Sequence, residues 1–269
     1  MPEVKEALLQ EEGLHDMPQT AADKPDIVAR VFEAKKKALC KEIKDDIFGR
    51  AVAMVHTIES QKRGLPHMHL LLFLNPEDKI RNAADVDSVV SAQIPDPVTQ
   101  PVLYEVITKN MVHGPCGAEK PNAKCMADGR CTKKYQEFCE TTHFGDDGYP
   151  QYARPNNGHC YDNRNVVPYS PYISAKYNCH INVEVCPSVQ AIKYIHKYIY
   201  KGHDRTTLEV NHDEIKQYLD SRHISAAESC WHVFEFNMHG EFPSVTCLPV
   251  MKRISTWSII MQMTIYMML

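Results

Sequence analysis

The sequence has no excess of positive charge: 30 Lys and Arg stand against 34 Asp and Glu, a formal net charge of −4. A globally basic nucleic-acid binder is therefore excluded, and any phosphate-binding footprint must be local. It has no apolar run at its start, where Met1, Pro2, Glu3, Val4 and Lys5 stand. A secretory leader is thus not expected, and the ten cysteines read as reduced thiols rather than a disulfide framework. It has no apolar stretch of the roughly 20 residues that cross a bilayer; the segment from Ile254 to Leu269 is shorter and is broken by Ser, Thr and Gln. Nor does it have an internal repeat or a Gly-x-x-x-x-Gly-Lys-Ser/Thr phosphate loop. The expectation is a nuclear or otherwise intracellular protein, not secreted and without a membrane partner.

What is present is an ordinary globular composition, 43% hydrophobic and 24% charged over 269 residues, enough for one large domain or two small ones. Asp23 before Pro25, followed by Ile27, Val28, Val31, Phe32, Leu39 and Ile43 among Lys and Glu, predicts a capped amphipathic helix over 25–44, closed by Gly49. Two apolar runs, 51–59 and 67–74, flank a Gly/Pro-marked turn and predict a buried antiparallel hairpin. Residues 75–112 read as a connection with one or two short helices. Residues 113–165 are rich in Gly, Pro, Asn and Asp and cannot build a conventional core without an external staple. Beyond them come a strand at 180–185, a helix opened by Pro187 and closed by Gly202, a helix near 213–230 and a strand near 231–236. The fold expected is α+β, an antiparallel central sheet with flanking helices plus an irregular Cys/His-rich insertion. Its parts are 1–112, the insertion 113–165, 166–250, and a divergent tail over 251–269.

Three groups of residues carry chemistry. His67 and His69 stand at i and i+2 of a strand, on one face and about 6.5–7 Å apart, so both imidazoles can converge on one cation. Glu59 or Gln61, on the preceding strand and its exit, can add an oxygen ligand, and two imidazoles with one oxygen donor suit a divalent ion with open positions. On the helix after Pro187, Val189, Ile192, Ile195 and Ile199 form an apolar stripe, whereas Tyr194, Tyr198 and Lys201 share the other face and Tyr200 falls nearer the stripe. A tyrosine hydroxyl becomes a nucleophile when a nearby cation stabilises its phenolate. Lys193, Lys197, Lys201, His203 and Arg205 form the local basic track on which phosphates can bind. Finally His113, Cys116, Cys125 and Cys131 offer four ligands for tetrahedral zinc, with Cys139, Cys160, His143 and His159 as competitors and unligated cysteines as the alternative. His223 and His232 read as structural.

The run Gln61-Lys-Arg-Gly-Leu-Pro-His-Met-His69, with Tyr194, Tyr198, Lys201 and Gly202, resembles the Rep nicking domain of Helitron transposases, which are HUH endonucleases. Asp26 to Phe32, His113 to Gly117, Cys125-Met126, Asp147 to Pro150, His180 to Glu184 and Ala227 to Trp231 match the same pattern in order, so the resemblance covers about 2–249. It implies a Mg²⁺ or Mn²⁺ ion on His67 and His69, with Glu59 or Gln61 as third ligand. It further implies Tyr194 and Tyr198 as the nucleophile pair and Lys201 steering phosphate or lowering the phenol pKa. The substrate implied is single-stranded DNA, cleaved to a 5′-phosphotyrosine and a free 3′-hydroxyl. Full-length relatives carry a helicase, which is not expected here, and the family's aromatic/Thr-rich strand before its Trp-Pro-Glu segment has no counterpart before Met1-Pro2-Glu3. The chain therefore reads as a fragment, and the rival expectation is a non-catalytic transposon remnant acting at most as a nucleic-acid- or zinc-binding domain.

Overall fold

The structure, a computed structural model, describes residues 23–60, 65–114, 116, 120–132, 137–156, 162–186, 205–207, 220–222, 224–243 and 260–266, the strands over 205–207, 220–222 and 260–266 as backbone. Its first element is helix α1 (Pro25–Lys44), in which Val28, Phe32, Leu39 and Ile43 are buried at helical spacing. Asp23 is not its cap: the N-cap is Lys24, without a side-chain hydrogen bond, and Pro25 opens the helix because its missing N–H is one of the orphan donors in any case. The helix ends at Lys44, and Gly49 lies in the turn that follows at φ +101°. There a Cβ would sit 2.8 Å from the Cβ of Asp78, so glycine is required both by conformation and by space.

Strands β1 (Ala51–Ser60) and β2 (Pro66–Leu74) form the expected antiparallel hairpin, with Thr57 opposite His69 and Glu59 opposite His67. Its open end is tied by Arg50, whose guanidinium donates to both carboxylate oxygens of Asp78 at 2.7 and 3.0 Å. The connection contains α2 (Ala83–Val89) and α3 (Pro101–Asn110). Among its described residues the insertion has the hairpin of β3 (Met126–Ala127) with β4 (Arg130–Cys131), that of β5 (His143–Phe144) with β6 (Pro150–Gln151), and a bridge between Cys139 and Arg154. Buried Arg154 donates from Nη1 to the carbonyls of Asn163 and Val166, a polar anchor where apolar residues are scarce. Helix α4 (Pro171–Tyr177) leads into β7 (His180–Cys186).

The C-terminal third departs most from expectation. A short pair, β8 (Arg205–Thr207) with β9 (Asp220–Arg222), precedes α5 (Ala226–Val233), so the helix expected near 213–230 is replaced by strand at 220–222 and, among the described residues, is formed only from Ala226. The strand expected at 231–236 is not formed: Trp231 to Val233 complete α5, Phe234 and Glu235 turn, and the strand is β10 (His239–Phe242). Ser225 caps α5 by accepting from the Glu228 N–H at 3.2 Å. Trp231 then packs edge-on against Phe32, ring centroids 5.7 Å apart. Packing of one indole decides against the β propensity of Trp, Val and Phe, which is a weak, context-dependent preference.

Residues 260–266, part of the segment read as a divergent tail, form β11 (Ile260–Tyr266), and the five-stranded sheet runs β10-β1-β2-β11-β7. The mixed α+β architecture with an antiparallel sheet bearing the paired histidines is therefore present. One sheet face is apolar: Met54, Ile58, Met68, Leu70, Leu72, Leu74, Ile181, Val183 and Val185 join α1, Ile173 and Trp231 in a single core. A satellite cluster of Ile107, Met111, Val166 and Tyr169 fixes α3 to the segment leaving the insertion.

Candidate metal centre

Alternation along β1 and β2 sends Thr57, Glu59, His67 and His69 to the face opposite that core. His67 and His69 are 3% and 2% exposed, a depth at which polar side chains need specific partners. Their rings lie 4.3 Å apart between centroids, tilted by 33°. Nε2 of His69 is 3.3 Å from the Glu59 carboxylate, and one ligand atom from each of Glu59, His67 and His69 falls within 4.8 Å of the others. Donor atoms about 2.0–2.2 Å from a shared ion stand some 3–4 Å from one another, so closure on a divalent cation requires only small side-chain rotations. The donor set fits such an ion: two borderline nitrogens with one hard oxygen favour Mn²⁺ over Mg²⁺, which prefers oxygen. Thr57, which sequence reading did not single out, donates or accepts at 2.9 Å with Nδ1 of His239 and stands beside His69 in the ladder; the alternation that placed Glu59 signals it equally.

The second cluster is His113, Cys116, Cys125 and Cys131, again with ligand atoms within 4.8 Å of one another. Nε2 of His113 is 3.2 Å from the sulfur of Cys131 and 3.8 Å from that of Cys116. Cys125 and Cys131 flank the β3–β4 hairpin, whose turn holds Asp128 and Gly129 at φ 51° and 75°, while His113 is carried by the end of α3 and by its N–H bond to the Asn165 carbonyl. Burial, then the adjoining thiols of Cys131 and Cys116, push the Cys125 thiol up from its ordinary range. Sulfurs crowded in this way resist ionisation until a cation compensates them. The ligand set suits tetrahedral Zn²⁺, whose N–S and S–S edges are about 3.5–3.8 Å for bonds near 2.0–2.3 Å. Of the competitors, Cys139 and His143 pair with each other at 3.4 Å, apart from this group.

Gln61, Tyr194, Tyr198, Lys201, Lys193 and Lys197 lie outside the described residues, as do Cys160 and His159, and Arg205 is described only as backbone in β8. The structure thus brings together Glu59, His67 and His69, and separately His113, Cys116, Cys125 and Cys131. Among the described residues, no helix is long and apolar enough to cross a membrane.

Residues 1–72 match the family described as the Helitron helicase-like domain at the N-terminus. That match contains α1, β1 and most of β2, and hence Glu59, His67 and His69. No curated protein matches the chain.

Proposed function

We propose, on the premise of a Helitron-related domain over residues 1–72, that this chain is a nucleic-acid-associated, metal-dependent nicking and strand-transfer domain of the HUH/Rep type acting on single-stranded DNA. The observation that carries this reading is the convergence of Glu59, His67 and His69 on one face of a rigid sheet. A divalent cation, which these three residues would hold, would supply polarisation of the phosphoryl oxygens in the scissile phosphodiester. His67 and His69 are fixed by strand alternation, and Glu59, 3.3 Å from Nε2 of His69, orients that ring and adds the negative charge that favours a divalent ion. Tyr194 and Tyr198 are the proposed nucleophiles. The phenol of one gives up its proton to solvent as its oxygen attacks phosphorus, the P–O3′ bond breaks, the departing 3′-oxygen takes up a proton from solvent, and the DNA 5′-phosphate remains esterified to tyrosine. Lys193, Lys197, Lys201 and Arg205 provide the local cationic track for the strand.

The Cys/His cluster is assigned as a structural Zn²⁺ site that staples the insertion. It also supports the rival reading, a zinc-bearing nucleic-acid-binding remnant without chemistry. A labelled single-stranded oligonucleotide incubated with the protein and Mn²⁺ separates the two. Nicking yields a denaturation-resistant protein–DNA adduct that disappears in Tyr194→Phe/Tyr198→Phe and in His67→Ala/His69→Ala, with duplex a poor substrate. Absence of any adduct while the oligonucleotide still binds supports the remnant instead.

A further inference from the structure

Strand β11 is the sole β-ladder link between β7 and the hairpin among the described residues, because β2 and β7 each pair with it and not with one another. Each of its seven residues has a register partner on both sides. The sequence Ile260-Met-Gln-Met-Thr-Ile-Tyr266 alternates in step with those neighbours. Met261, Met263 and Ile265 stand opposite Leu72, Leu70 and Met68 on one side and Val185, Val183 and Ile181 on the other, all six in the apolar core. Gln262, Thr264 and Tyr266 stand opposite Leu71, His69 and His67, and opposite Glu184, Asn182 and His180. A slip of one residue would move three polar residues into the core rows, so the register is strongly specified.

The consequence for the metal centre lies in the cross-strand rows. His67 has Glu59 on one side and Tyr266 on the other; His69 has Thr57 and Thr264. Without β11 the histidines would stand on the open edge of the remaining β10-β1-β2 sheet, where the backbone of β2 loses its ladder partners on that side and its side chains lose one flanking row. A ligand set must be held to within about 0.5 Å to bind its ion tightly.

We propose that Ile260–Tyr266 is the positioning strand of the cation site: its two-sided pairing, in the register set by its alternation, holds His67 and His69 where Glu59 can share an ion with them. The inference rests on the reading that these three residues bind a divalent cation. Free Mn²⁺ is followed by electron paramagnetic resonance during titration of the full chain and of a chain ending at residue 259. The shortened chain is expected to bind Mn²⁺ at least tenfold more weakly, and a synthetic peptide of residues 257–269 added in trans to restore binding, as strand complementation does elsewhere. In the full chain, Met263→Asp, which places a charge in a core row, should cause a similar loss, and Gln262→Thr should stay within about twofold. Zn²⁺ content and circular dichroism report whether the remainder stays folded. Unchanged affinity in the shortened chain or in Met263→Asp overturns the proposal, as does a peptide that fails to restore binding. Absence of Mn²⁺ binding in the parent removes the cation reading itself, a result distinct from binding that persists without the strand.

Discussion

Replacing Cys116 by Ser tests the staple in the insertion. The 113–131 segment has a two-residue hairpin, β3–β4, and Cys116 as its one buried apolar residue among those described, so its order depends on the ligand cluster rather than on packing. It is nevertheless anchored to the body: the His113 N–H donates to the Asn165 carbonyl, and Val112 bridges Val166 beside the Ile107–Met111–Tyr169 cluster. Loss of the metal should therefore be felt in global unfolding. A site saturated at 100–1,000 times its dissociation constant contributes about 2.7–4.1 kcal/mol, and a chain of this length loses roughly 2 °C of Tm per kcal/mol. Cys116→Ser, or chelation of the parent, should lower Tm by about 5–8 °C and reduce bound zinc from one equivalent to near zero by elemental analysis. Chelation of the Cys116→Ser variant should then change nothing more. A parent that purifies with no zinc and cannot be loaded, or a Cys116→Ser/Cys125→Ser double variant that retains one equivalent, refutes the staple.

Three further outcomes follow from the packing. Leu70→Ala, at a fully buried core position next to His69 in β2, should cost about 2–5 kcal/mol, read by chemical denaturation; a loss under 1 kcal/mol would show that the sheet does not carry the core. Gly240→Ala should destabilise by about 1–3 kcal/mol, since the new Cβ would collide with the imidazole of His56, and an unchanged Tm would contradict the β1–β10 register. His56 itself has its pKa lowered to about 4, by burial first and then by Lys36, His239 and Lys44. The unfolded chain therefore binds the additional proton between about pH 6.5 and 4. Stability is full above that window and falls as pH drops through it, and His56→Gln should flatten the slope; an identical pH profile in the variant would refute the assignment.

Local pattern makes the hairpin and α1 legible: continuous apolar runs on either side of a Gly/Pro-marked turn mark buried strands, as β2 proves to be along nearly its whole length, and period 3.6 in 25–44 is imposed by burial of one helix face. The His67/His69 pair with Glu59 was readable for the same reason: ladder geometry follows from alternation once the turn is located. The four zinc-ligand candidates were readable from residue type, since His113, Cys116, Cys125 and Cys131 lie in a stretch with too few apolar residues to fold otherwise. Residues 231–236 carry a strand signal, with four bulky β-formers (Trp231, Val233, Phe234 and Phe236) among six residues, and only packing on the distant Phe32 overrules it. The role of Ile260–Tyr266 was not legible for a related reason. Its alternation is plain in the letters, but a central strand is defined by partners some 190 and 80 residues earlier, and pairing at such separation leaves no local mark.

Glu59, His67 and His69 are proposed to share one divalent cation. The most direct measurement is an Mn²⁺ titration, followed by electron paramagnetic resonance, of the zinc-replete full chain and of its His67→Ala/His69→Ala variant. One bound Mn²⁺ per chain is expected in the parent and none in the variant, with the circular dichroism spectrum of the two nearly superimposable. Equal Mn²⁺ binding by both proteins, or none by the parent, would contradict the shared site.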